Sequence, residues 1–139
     1  MSTAFLRPVV ALVLWTFVMW TWMYATRIPA IRKARMKLDA NAPRGEQMAT
    51  LPPSVRWKAD NYNHLFEQPT LFYAVALALG MLGSQSTLDL GLAWAYVAIR
   101  VVHSVFQSVV NHIPSRFALF VLGSLALLAL SIRAALAVF

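Results

Sequence analysis

Long apolar runs separated by short polar stretches dominate the chain. Residues 5–26 carry one charge, Arg7, and comparably apolar stretches cover about 63–82, 88–110 and 116–139. Each is about 20 residues long or more, the length an α-helix needs to cross a bilayer core. The runs are too long for strands and lack strict alternation. The pattern therefore predicts an all-α integral membrane four-helix bundle in a single domain, 1–139, with those four spans and one long loop over about 27–60. Pro8 suits the first turn of the first span, and Pro114 suits a helix start after the Asn111–Ser115 turn. Gly83–Asp89 reads as another short turn. The connector holds Pro29, Pro43, Pro52 and Pro53. Its first part, Ile31–Leu38, is expected to extend the first helix into water and the rest to be loop. Small residues recur at four-residue spacing, at Ala76, Gly80 and Ser84 and at Gly91 and Ala95, which lets membrane helices approach closely.

Composition agrees. Of 139 residues, 60% are hydrophobic and only 12% charged, too few to cover the surface of a water-soluble domain. The absence of cysteine excludes disulfides, thiolate nucleophiles of the chain itself and cysteine-held metals. The apolar run Pro8–Tyr24 is too long and aromatic for a signal peptide and reads as a retained membrane helix.

The net charge of +7 invites a nucleic-acid reading, which the placement of the charges opposes. Eight of the twelve basic residues, Arg27, Arg32, Lys33, Arg35, Lys37, Arg44, Arg56 and Lys58, fall in the one long connector. Basic residues clustered beside a span report topology. The connector is expected in the cytoplasm and both termini on the opposite side, in a multi-pass protein of a bacterial inner membrane, with lipids as partners and no nucleic acid. Trp15, Trp20, Trp22 and Tyr24 crowd the second half of the first span as an interfacial belt.

Polar residues inside the spans are costly and face protein or water. On the third span Arg100, His103, Ser104, Gln107 and Asn111 fall on one helical face. Arg100 is ten residues or more from either end of that span and needs a carboxylate or an anionic ligand. On the second span Asn63, Glu67 and Thr70 are similarly spaced, and Glu67 is the acidic residue expected well inside a span. Its economical partner is Arg100 or Arg116. Such a pair has two readings, a structural ion pair that sets helix register or part of a ligand site. Arg116 alone reads either as an interfacial anchor or as a site residue. Pro69 should kink the second helix. His64, His103 and His112 lack zinc spacing, and no metal site is expected.

Two stretches, DNYNHLFEQPTLFY over 60–73 and YVAIRVVHSVFQSVVNHIPSRFALFVLG over 96–123, resemble the MAPEG family, membrane-associated proteins in eicosanoid and glutathione metabolism, and within it a bacterial branch. The resemblance implies a homotrimer with glutathione as cofactor, bound between neighbouring subunits near the cytoplasmic face. Arg100, His103, Pro114 and Arg116 align without gaps to the family's third–fourth helix motif, which gives Arg116 the place of the arginine that stabilises the glutathione thiolate. Asn63 and Glu67 resemble the span-two pair, and Arg32 stands where a span-one arginine is expected. Arg100, Asn63, Glu67, His103, Gln107 and Arg32 are thus the implied glutathione-binding set. Gln107 replaces an expected tyrosine, and Phe117 stands where the prostaglandin synthase has a serine.

Two functions follow as expectations. One is a glutathione-dependent transferase or peroxidase acting on lipophilic electrophiles that arrive from the bilayer. The other is a non-enzymatic membrane scaffold or accessory subunit that keeps the fold without glutathione. A transporter is disfavoured because no inverted repeat or carboxylate chain is present.

Overall fold

The computed structural model describes residues 2–139, and its regular elements are all helices, without strands among them. The helices are α1 (Leu6–Lys33), α2 (Pro53–His64), α3 (Gln68–Met81), α4 (Thr87–Val109) and α5 (Ile113–Val138). Three of them, α1, α4 and α5, are long and apolar enough to cross a membrane. Large side chains such as Leu14, Phe17, Leu122, Leu125 and Leu128 stand exposed around the bundle, a surface that lipid solvates and water does not.

Helix α1 runs through Pro29, whose missing N–H leaves one carbonyl of the preceding turn unpaired. It ends before the expected Leu38. Arg35 takes a left-handed backbone (φ 51°), and Ala34 and Met36 bond back to the carbonyls of Ala30 and Ile31. That closes the last turn and stops the helix at Lys33.

The second span departs from the single helix expected over 63–82. Helix α2 begins at Pro53, inside the stretch expected to be loop, because Pro53 is preset for the first helical position. It ends at His64, and Leu65–Glu67 form a tight turn whose N–H groups bond to Asn61, Tyr62, Asn63 and His64 carbonyls. Pro69 then opens α3. Lacking an N–H, it cannot continue the ladder across the turn, so the expected kink is a full break. Helix α3 has 14 residues, about 21 Å of rise, against about 30 Å for a bilayer core.

Helices α4 and α5 pack most extensively. Gly123 makes this possible, since a Cβ there would lie 3.3 Å from the Ile99 side chain. Tyr96 stacks on Phe72 of α3 at 4.8 Å between ring centroids, and Leu12, Met19, Leu79, Ala93, Leu127 and Leu130 complete the core. Ala76 is buried in the core, and Gly80 packs against the N-terminal segment, where Ser2 donates its backbone N–H to the Gly80 carbonyl at 2.7 Å. Gly91 instead has open space around it within the subunit.

The end of the bundle near the α3–α4 turn is closed by charge. Asp89 is buried, accepts from Ser84 Oγ at 2.9 Å and pairs with the Arg133 guanidinium, which also reaches Ser86 Oγ at 3.1 Å. Asp89 falls in the stretch expected to be a short turn. The carboxylate draws the arginine in, since a buried charge without a partner costs several kcal/mol.

Candidate functional site

The polar stripe of α4 lies inside the subunit. Arg100 is 1% exposed, and His103, Ser104, Gln107 and Ser108 are buried beside it. Within the subunit none of the three Arg100 guanidinium nitrogens has a hydrogen-bond partner, nor do His103 Nδ1, Ser104 Oγ or Gln107 Oε1. Buried polar groups are normally paired, so this stripe has unused binding capacity.

The α4–α5 corner brings Arg116 to the end of the stripe. Asn111 takes a left-handed backbone (φ 49°), which asparagine tolerates and which stops α4, with its N–H bonded to the Phe106 carbonyl at 2.9 Å. Its side-chain Oδ1 then accepts from Arg116 in the first turn of α5 at 2.6 Å. His112 Nδ1 and Ser115 Oγ, 2.9 Å apart, tie the same turn together.

Arg116 lines two adjoining spaces. The first is an open polar cleft of about 310 Å³ shared with Asp60, Asn63, His64, Glu67 and Gln107. The second is a more apolar groove formed with Ile113, Phe117, Phe120, His64 and His103. Phe117, the departure from the serine pattern, belongs to the apolar side. The His64 and His103 rings lie 5.4 Å apart between the two spaces. Among the described residues no three His, Asp or Glu side chains gather to hold a metal ion.

Of the expected site residues, Arg116, Asn63, Glu67 and Gln107 share the cleft, and His103 lies beside it. Arg100 is buried deeper along α4. Arg32, exposed at the end of α1, lines neither space in its own subunit. The expected pairing of Glu67 with Arg100 or Arg116 is overturned. Glu67 sits at the α2–α3 break, largely exposed, and pairs with His64 Nδ1 at 2.7 Å. The break leaves its carboxylate on the rim of the cleft it shares with Gln107 and Arg116, paired to His64 and to neither arginine.

Lys58, Asn61 and Asp60 were placed in the loop or at its edge and prove to be part of the same assembly. Asn61 is fully buried with neither side-chain polar atom paired. Lys58 donates to the carbonyls of Ser54 at 2.8 Å and Ser108 at 3.4 Å, linking α2 to α4, and lies 5.1 Å over the Trp22 ring. Burial pushes its pKa below the usual 10.5. The spacing of Lys58, Asn61 and Leu65, three and four residues apart, was the available signal for two of them. Deeper in the bundle, Gln68 at the start of α3 bonds Ser124 Oγ at 2.7 Å and accepts from the Tyr96 hydroxyl at 3.3 Å, which fixes α3 and α5 around the stripe.

Fold and site together define a helical membrane protein with a polar, arginine-bearing cleft that opens beside an apolar groove. The profile of the MAPEG family matches residues 5–136, nearly the whole chain, and the chain belongs to that family. No match was found among curated proteins or among solved structures.

Proposed function

We propose that the protein is a glutathione-dependent transferase or peroxidase for lipophilic electrophiles, working as a homotrimer with glutathione held between subunits at the cytoplasmic face of a bacterial inner membrane and both termini on the other side. The observation that carries this reading is the position of Arg116 on both the polar cleft and the apolar groove. Membership of the MAPEG family supports it.

The residues fit the tripeptide. Arg100 lies buried along α4 with all three guanidinium nitrogens unpaired, suited to a carboxylate that penetrates beyond the cleft. Asn63, Gln107 and Glu67 supply an amide-binding and amine-binding rim, and His103 lies within reach of the same space. Arg32, outside the cleft of its own subunit, is assigned to the site of a neighbour. When bound, glutathione supplies a thiolate nucleophile. Arg116 lowers the pKa of the thiol by proximity of its positive charge. The Asn111 carboxamide holds Arg116 in place, and Phe117 and Phe120 exclude water where a lipophilic acceptor enters from the bilayer.

The test is conjugation of glutathione to a lipophilic aryl halide by the purified protein. Arg116→Ala should lower turnover about 100-fold with oligomeric state unchanged. Unchanged turnover would remove Arg116 from the chemistry. Failure of the wild type to bind glutathione would favour the scaffold reading.

A further inference from the structure

A second cleft, of about 400 Å³, lies where α1 leaves the apolar core and the connector folds back on it. Arg27, Arg44 and Arg56 line it with Asp60 and Asn63, beside Met48, Leu51 and Val55. Three guanidinium groups there accompany a single carboxylate. None of the three arginines forms an ion pair among the described residues, and Arg27 Nε is buried without a partner. Three like charges lining one space repel each other unless an anion joins them.

The level of the cleft narrows the anion. Trp22 belongs to the aromatic belt of α1, and Lys58 of α2 lies over its ring at 5.1 Å. Arg27 stands five residues further on, about 7.5 Å along the helix axis. The cleft is therefore at headgroup depth, with apolar side chains beside its arginines. Planar guanidinium forks match phosphate oxygens two at a time.

We infer that this cleft is a phosphate site that takes the headgroup of an anionic phospholipid from the surrounding leaflet. Its arginines do not rest on the glutathione reading, because Arg27, Arg44 and Arg56 lie outside the residues assigned to that ligand, while Asp60 and Asn63 line both clefts.

The full chain, purified in a neutral detergent, is titrated with phosphatidylglycerol or phosphatidylcholine in mixed micelles, and binding is read by thermal unfolding and by retained lipid in native mass spectrometry. The wild type should prefer phosphatidylglycerol. Arg44→Gln with Arg56→Gln should weaken that binding about tenfold or more. Lys33→Gln with Lys37→Gln removes the same charge outside the cleft and should leave it unchanged. Inorganic phosphate alone distinguishes the sources. Stabilisation by phosphate that the cleft pair abolishes assigns the site to the free anion, and stabilisation by lipid only assigns it to the headgroup. Equal losses in both double variants, or no preference in the wild type, would overturn the site. Loss of glutathione affinity in the cleft pair would also overturn it, by making the cleft an extension of the glutathione site.

Discussion

The Arg116 guanidinium donates to the carboxamide oxygen of Asn111 at 2.6 Å, across the corner where α4 ends and α5 begins. One residue does two things there. The left-handed backbone of Asn111 terminates α4, and its side chain sets the direction of the arginine that faces the cleft.

These roles separate by substitution. Glycine adopts the same backbone without cost but has no acceptor, so Asn111→Gly should keep the helix stop and lose the hydrogen bond. The expected result is a drop of about tenfold in conjugation turnover, from the loss of a charge-assisted hydrogen bond, with little change in thermal stability. Circular dichroism melts and steady-state kinetics on the same preparation check it.

The Asp89–Arg133 pair lies at the far end of the bundle and should matter for stability alone. Asp89→Asn leaves Arg133 without its counter-charge, and we expect a loss of about 2 kcal/mol, reduced from the fully buried case because Arg133 is partly exposed. Glutathione affinity should not move. Detergent melts with and without ligand separate the two effects.

Gly80→Val should loosen the N-terminal segment, because even a Cβ at this position would lie 3.3 Å from the Ser2 carbonyl. Overpacking of this kind costs about 1–3 kcal/mol. A Cβ added at Gly91 has no neighbour within 4 Å in the subunit, so Gly91→Val should leave its fold intact. A fall in oligomer mass for Gly91→Val would place that face in a subunit contact. Limited proteolysis and size-exclusion chromatography with light scattering report both.

Lys58 gives a pH dependence. Burial lowers its pKa in the folded chain below 10.5. Between the lowered and the ordinary value the unfolded chain binds the proton and the folded chain does not, so stability rises with pH through that alkaline window. Below the lowered value the cost of burying the charge is fully present. Lys58→Met should flatten the rise, which denaturation midpoints across the alkaline range measure.

Much of this was legible in the residues. The stripe of Arg100, His103, Ser104 and Gln107 follows from spacing on a single helix, and α4 keeps that face inward. The apolar lengths gave α1, α4 and α5 because lipid solvation demands them. The second span is less legible, because Pro69 acts on the whole turn before it and because Pro52–Pro53 has the composition of a loop but starts a helix. The Glu67 pairing failed for the same reason, since a break rotates every side chain beyond it relative to a continuous helix. Asp89 and Arg133 are 44 residues apart, and no local pattern joins them.

Arg100 gives a prediction in two directions. Within the subunit its buried charge lacks any partner, so Arg100→Met should leave the ligand-free protein as stable as wild type or more so. Glutathione affinity should fall about 10–100-fold with loss of charge-assisted hydrogen bonds. Melting curves without ligand and titrations with it check the two halves, and a variant that melts well below wild type would mark Arg100 as structural.

The most direct measurement is calorimetric titration of glutathione into the detergent-solubilised protein, with Arg116→Ala alongside and folding verified for both. Saturable binding by the wild type that weakens sharply in Arg116→Ala is the expected result. No heat of binding at millimolar glutathione from a folded wild-type protein would contradict the assignment, and would leave a MAPEG scaffold that does not use the tripeptide.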